Sequence, residues 1–208
     1  MGGLLVEING DKADEATKQL QKSTSLKLTR DEKTGQLSAT GKAKTDSDKQ
    51  LLAAINDKDK VVRLNATSSN ETTVSGTKGE VGNLIVGAYQ GSHVEGDKIV
   101  GDQTVNPKQA KTIENNDGTK ASASVLHEVL ESYTAMNIGN GVHNSATPEG
   151  QAAYTQAHNA VNTLPSANTS EIETNLHKDI GKAVPGFNLY WHQSPITGNG
   201  VELFRVKQ

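Results

Sequence analysis

The stretch 121-ASASVLHEVLESYTAM-136 predicts the central element of the fold. Its apolar residues recur at the three- and four-residue spacing of a helix that buries one side. They are Val125, Leu126, Val129, Leu130 and Tyr133. A helix from Ala121 to about Met136 follows, and the Gly- and Asn-rich segment 137–141 is expected to end it.

Three ionisable residues lie inside this helix: His127, Glu128 and Glu131. His127 and Glu131 are four residues apart, so both project from one face and can hold one divalent ion. Glu128 lies about 100° around the helix, where it reaches a metal-bound water without ligating. In His-Glu-x-x-His peptidases the Glu is the general base; here Glu131 replaces the second His, as a carboxylate that zinc also accepts. Because unpaired charges are costly in an apolar helix, this spacing predicts a zinc site.

A catalytic zinc site normally has three protein ligands and a water. His158 lies in the middle of the next predicted helix, which a helical hairpin can bring back onto the first. His143 lies in the intervening loop beside Gly141. We favour His158, since a rigid helix holds a ligand better than a Gly- and Asn-rich loop, and keep His143 as the alternative. Weaker candidates are His192 and His93, while His177 is expected to face solvent.

The remaining pattern predicts one α+β domain over residues 1–208. N-terminal elements are a helix from Asp11 to about Lys22 with Asp11 as its cap, a hairpin of 25–29 with 36–40, and a helix beginning at Asp46 or Ser47. The middle of the chain is expected to contain a strand at 61–66, a long loop at 67–80, a strand at 83–89, a strand or loop at 98–105 ended by Pro107, and a turn at 115–118. Further helices are expected at 147–162 and from Ser170 onward, followed by a hairpin of 187–191 with 201–206.

Composition excludes several classes of protein. The chain has no cysteine, which excludes disulfides, thiolate metal sites and a thiol nucleophile. Its net charge of −3 is mixed along the sequence, so no nucleic-acid partner is expected. No segment approaches the roughly 20 apolar residues that span a bilayer, and no signal peptide is visible. The start, Met1-Gly2-Gly3-Leu4, suggests a piece excised from a longer chain.

Several segments together resemble the metallopeptidase-type toxin domains at the C-terminal ends of bacterial RHS and related polymorphic toxin proteins. They are VEINGD at 6–11, SLKLTRD at 25–31, TGQLSATG at 34–41, VNP at 105–107 and HEVLESY at 127–133. The resemblance implies a zincin-like fold, His127 as a zinc ligand and Glu128 as the catalytic base. It also implies a secreted chain delivered as part of a larger protein, a protein or peptide substrate, and a cognate immunity protein as partner. The sequence departs from the usual signature at Glu131.

The resulting hypothesis is a zinc-dependent peptidase in which His127, Glu131 and a third residue hold the metal and Glu128 moves the proton. Tyr133 or Tyr154 is a candidate donor to the oxyanion, and packing is the alternative role for each. One rival is a catalytically inactive interaction domain in which His127 and Glu131 form a structural pair. Another is a hydrolase of a different amide, such as one of the cell wall. Phosphate-binding Gly loops and the Gly-x-Ser-x-Gly motif are absent from the sequence.

Overall fold

The computed structural model describes residues 5–73, 81–117, 123–170, 174–181 and 183–208. Its helices are α1 (Ala13–Ser23), α2 (Asp46–Asn56), α3 (Pro107–Asp117), α4 (Ala123–Ala135) and α5 (Pro148–Val161). Its strands are β1 (Val6–Asn9), β2 (Lys27–Arg30), β3 (Leu37–Thr40), β4 (Lys60–Ala66), β5 (Glu71–Thr73), β6 (Val81–Asn83), β7 (Gly87–Glu95), β8 (Lys98–Val105), β9 (Leu176–Ile180), β10 (Phe187–Gln193) and β11 (Gly200–Lys207). The mixed α+β class is therefore as predicted. None of the helices described is long and apolar enough to cross a membrane.

A four-stranded sheet in the order β1-β4-β8-β7 supports the functional helix. Strands β1, β4 and β8 run parallel, and β7 pairs with β8 in the antiparallel direction. Helix α4 packs across β4, β8 and β7. Gly101 of β8 permits this close approach, because a Cβ there would meet Ser132 Oγ of α4 at 2.5 Å. The sheet therefore fixes the face of α4 that carries its ionisable residues.

Helix α4 is buried on almost every side. Its apolar residues join the main core, which also contains residues of α1, α2, β1 and β4. His127, Glu128 and Glu131 lie within the same buried helix. The predicted helix at 121–136 is thus present as Ala123–Ala135, with residues 121–122 outside the described part. Its charges must find partners within the protein.

The N-terminal elements follow the prediction except at the cap of α1. The β2–β3 hairpin pairs in the expected antiparallel register. Asp11 does not cap α1, however, because its carboxylate accepts hydrogen bonds from the Ser68 amide and hydroxyl instead. Helix α2 begins at Asp46, and its cap is Thr45, which forms a capping box with Asp48.

The middle of the chain departs most from the prediction. The expected loop at 67–80 contains strand β5, and residues 74–80 lie outside the description. The apolar run at 83–89 is not one strand, because the chain turns at Val86, whose φ of 62° is rare for a β-branched residue. Buried polar groups hold this turn: Val86 N donates to Gln109 Oε1 at 2.8 Å, and its carbonyl accepts from Asn106 N at 2.7 Å.

Helix α3 occupies residues 115–117, where a turn was predicted. Pro107, expected to end a strand, is instead the first residue of α3. Proline suits the first helical turn because the amide it lacks would have no partner there. The strand-or-loop segment at 98–105 is strand β8, and Gly118 lies outside the described residues.

The helix predicted from Ser170 is wrong over its second half. Residues 176–180 form strand β9, which pairs with β10 in the antiparallel direction, and residues 171–173 are not described. Pairing with β10 overrides the helix-like spacing of Leu176 and Ile180, since tertiary context often outweighs local propensity. The predicted C-terminal hairpin is present as β10 and β11, so the last sheet has the order β11-β10-β9. The helix at 147–162 is also present, as α5.

Candidate metal centre

Two neighbouring helices bring His127, Glu131 and His158 together. His127 and Glu131 lie one turn apart on α4, with only 1% and 2% of their surface exposed, and His158 reaches them from α5. His158 Nδ1 lies 2.7 Å from Glu131 Oε2. His127 Nε2 lies 3.2 Å from the same oxygen and 3.1 Å from His158 Nδ1. This buried group could hold a metal ion.

The spacing of the three ligand atoms fits a small divalent ion. Their separations define a triangle whose corners lie about 1.7 Å from its centre. Zinc keeps its nitrogen and oxygen ligands at about 2.0–2.2 Å. The three atoms are thus close enough together to contact a single ion.

The partner of the other His127 nitrogen orients the ring. His127 Nδ1 lies 2.8 Å from the Ala167 carbonyl oxygen and 3.2 Å from Thr169 Oγ1. A carbonyl can only accept, so Nδ1 carries the proton and donates it. In the neutral ring the lone pair then lies on Nε2, toward Glu131 and His158. A backbone carbonyl that fixes the ligand tautomer is typical of metal-binding histidines.

The electrostatics favour an ionised Glu131. Burial alone would raise the pKa of this carboxyl, but hydrogen bonds from His127 and His158 outweigh burial and hold the pKa below its ordinary value. Conversely, burial would lower the pKa of His127, while the hydrogen bond with Glu131 and the charges of both glutamates raise it. Glu131 therefore offers a negatively charged ligand, and a divalent cation would take the place of the proton that His127 shares with it.

Glu128 faces the same cavity but is held by different partners. Gln103 Nε2 of β8 donates to Glu128 Oε2, and also lies 3.4 Å from Glu131 Oε1. Burial, followed by the charge of Glu131, raises the pKa of the Glu128 carboxyl above its ordinary value. The carboxylate lies against the backbone of β7, where a Cβ on Gly87 would overlap it. Glu128 is thus a buried, basic carboxylate next to the ligand group and outside it.

The ligand group and Glu128 line one cavity of about 170 Å³. The start of β7 forms one wall, and Tyr154 and His158 of α5 form another. The Tyr154 ring lies 5.6 Å from the His158 ring and stacks on Tyr89 at 6.3 Å, measured between centroids. Tyr154 is therefore placed to contact a molecule bound in the cavity.

The other residues that the sequence offered as ligands or oxyanion donors lie away from this cluster. Tyr133 donates its hydroxyl hydrogen to Asp57 Oδ2 at 3.0 Å, on the far side of α4. His143, the alternative ligand, directs Nε2 to the carbonyls of Ala135 and Ile138 at 3.0 and 2.9 Å. The remaining histidines, His93, His177 and His192, lie on strands β7, β9 and β10.

Sequence reasoning missed Gln103 and the carbonyl of Ala167. Gln103 lies two residues after Gly101, so both face α4 by the two-residue period of β8. This alternation would predict that Gln103 lies beside α4, but it applies only to a strand, and the sequence leaves residues 98–105 open as a strand or a loop. The contact with Ala167 joins residues 40 positions apart through a backbone atom, and no residue type signals it.

Comparison with known protein families, curated proteins and solved structures finds no match to this chain.

Proposed function

We propose that the protein is a zinc-dependent hydrolase of the peptidase type. The observation that carries the proposal is the convergence of His127, Glu131 and His158 beside the separate carboxylate of Glu128, in one cavity. Two imidazoles and one carboxylate are a ligand set of catalytic zinc sites, which keep a fourth position for water or substrate. A purely structural zinc site would instead be closed by four protein ligands.

Each residue has a role that follows from its position. Zinc bound by the three ligands would polarise a carbonyl and lower the pKa of a bound water. Glu128, adjacent to the ligands and outside them, takes the proton of the attacking water and returns it to the leaving amine. A bound cation would lower the pKa of its carboxyl and so keep it ionised for this role. Gln103 holds Glu128 in this position. Tyr154 in the cavity wall is the candidate donor to the developing oxyanion.

Strand β7 favours an extended peptide as substrate. It is the last strand of the four-stranded sheet, and its first residues line the cavity. Farther along, Ser92 exchanges main-chain hydrogen bonds with His143 on the side away from β8, which is the kind of pairing that an added peptide would make nearer the cavity. An extended peptide that adds to the edge at 87–89 would pass Glu128. A zincin-like fold is consistent with this arrangement, and secretion as the toxin domain of a larger bacterial chain rests on the sequence resemblance alone.

Metal content and hydrolysis test this function together. The protein, purified without a His tag, should contain one equivalent of zinc and cleave an unfolded protein such as casein. The variant Glu128→Gln should keep the zinc and lose at least about 100-fold of the activity. Its control is Glu149→Gln, an exposed glutamate in the first turn of α5. Cleavage that persists in Glu128→Gln would refute the role of this residue, and absence of bound zinc would refute the metal centre.

A non-catalytic interaction domain is the second candidate, and one contact favours it. Glu131 Oε2 lies within hydrogen-bond distance of both imidazoles, so a protonated His127 satisfies the cluster without an ion. In that case chelators should leave the midpoint of thermal unfolding unchanged. A resident zinc ion should instead raise that midpoint, because a ligand that binds only the native state stabilises it.

A further inference from the structure

A second cavity lies directly beside the metal-centre cavity. It has a volume of about 120 Å³ and lies between the segment before β7 and the C-terminal sheet β9-β10-β11. Apolar and aromatic side chains form most of its wall, namely Ile85, Leu176, Tyr190, Trp191 and Leu203, and His177 and Lys178 complete it. No charged residue of the proposed catalytic group takes part.

Two residues join the cavities. Ile85 and Leu176 line both of them, so each is a partition between the metal centre and the apolar space. Ile85 comes two residues before Gly87, where the chain turns at Val86 and passes Glu128. Among the described residues, only Ile85 and Leu176 therefore separate the cavity that contains Glu128 from the apolar cavity.

The aromatic walls of this cavity are held in place by their own contacts. Tyr190 accepts a hydrogen bond from Asn83 Nδ2 at 2.6 Å, and its ring stacks on Phe204 with centroids 4.5 Å apart. Trp191 stacks on His177 at 4.5 Å. Walls that are already ordered lose little conformational entropy when a ligand arrives. The cavity is thus preorganised for binding a ligand.

We propose that this cavity is a specificity subsite for an aliphatic side chain, of leucine size, next to the scissile bond of a peptide substrate. The inference rests on the proposed peptidase function and adds the C-terminal sheet as its specificity element. An apolar cavity of about 150 Å³ holds benzene, so a cavity of about 120 Å³ suits a leucine, isoleucine or methionine side chain. Lysine and arginine side chains are excluded, because the mostly apolar wall offers them little compensation for lost water and its cation, Lys178, would repel them.

Cleavage specificity is the first test. Peptides released from a denatured protein mixture, sequenced by mass spectrometry, should show Leu, Ile or Met at one fixed position beside the cut. Leu203 lines only the second cavity, so Leu203→Phe should fill it and shift the preference to Ala and Gly by at least about tenfold. Leu203→Ala should enlarge it and shift the preference to Phe. The matched control is Ile196→Phe in the β10–β11 loop, where Ile196 is 63% exposed, and it should keep the wild-type profile.

Trp191 permits a second test that does not depend on cleavage. It is the one tryptophan of the sequence and lines the cavity, so its fluorescence reports an occupant. In the Glu128→Gln variant, N-acetyl-leucine amide should change the emission and saturate, N-acetylglycine amide should not, and adding Leu203→Phe should abolish the leucine signal.

The two tests separate the two proposals. A leucine-specific signal without any cleavage would overturn the peptidase function and leave the binding site. Cleavage without a side-chain preference, or with a preference that no Leu203 variant alters, would overturn the subsite. Equal responses to the leucine and glycine amides would overturn it as well.

Discussion

Replacement of Gly87 by alanine tests the position assigned to Glu128. The φ of Gly87 lies outside the left-handed region, so the backbone accepts alanine. The added Cβ would nevertheless overlap the Cδ and both oxygens of the Glu128 carboxylate. Steric displacement of that carboxylate is therefore the direct effect of the substitution, while the three candidate metal ligands are left as they are.

The geometry sets the magnitude of the effect. Ordinary van der Waals contact of about 3.5–4.0 Å requires the Glu128 carboxylate to move by more than about 1 Å. A shift of about 1 Å at a reacting group costs about 100-fold in rate. Overpacking of this kind also costs about 1–3 kcal/mol of folding free energy. We expect Gly87→Ala to lose activity on this scale and to retain its zinc.

A double-mutant cycle measures the contact without relying on catalysis. Glu128→Ala removes the carboxylate that the new Cβ would meet, so Gly87→Ala should cost almost nothing in that background. Urea unfolding of the four proteins should give a coupling free energy of about 1–3 kcal/mol. If Gly87→Ala costs the same with and without the Glu128 carboxylate, the assigned position of Glu128 is wrong.

Three further substitutions probe the surroundings of the site and the fold. Gln103→Leu removes the hydrogen-bond donor shared by Glu128 and Glu131, so zinc affinity in a chelator competition should fall about 10–100-fold. Unchanged affinity would show that Gln103 does not orient these carboxylates for metal binding. Burial would raise the pKa of Asp48, but hydrogen bonds from residues 24–25 and 44–45 hold the pKa far below its usual range. The ionised Asp48 therefore stabilises the fold fully above the unfolded-state pKa of about 3.9, and this stabilisation is lost as the pH falls through the lower folded pKa. Asp48→Asn should cost about 1–3 kcal/mol of unfolding free energy in urea at pH 7 and much less at pH 2. An equal cost at the two pH values would refute this role of Asp48. Burial lowers the pKa of His192, so the protein becomes less stable as the pH falls below about 6.5 and the unfolded state takes up a proton. Between pH 7.5 and 5.5, His192→Phe should therefore lose less unfolding free energy than the wild type does. An equal loss in both proteins would show that another group causes it.

Helical geometry is local, which is why the sequence predicts how the candidate ligands are grouped. His127 and Glu131 share a face whenever 121–136 is a helix, and the structure places both beside His158. The choice of His158 over His143 depended on one further step, the return of α5 onto α4. His158 is favoured because a helix holds a ligand more rigidly than the Gly- and Asn-rich loop that carries His143, and a helical hairpin can return the second helix onto the first.

The parts of the site that were not predicted depend on contacts distant in sequence. Strand β9 forms where a helix was expected, because its pairing with β10 outweighs local spacing. The turn at Val86 exists because Gln109 and Asn106 of another segment bind its backbone. Both features line or border the cavities. The cavity walls formed by these segments therefore could not be predicted from sequence patterns, whereas the helices that carry His127, Glu131 and His158 could.

Anomalous X-ray scattering at the zinc edge tests the metal centre most directly. Crystals of the untagged protein should give one strong anomalous peak about 2.0–2.2 Å from His127 Nε2, Glu131 Oε2 and His158 Nδ1. The peak should vanish in His158→Ala and remain in His143→Ala, because His143 Nε2 is directed to backbone carbonyls at the end of α4. A zinc-supplemented crystal without a peak at this cluster, or with its peak at His143, would contradict the proposed site.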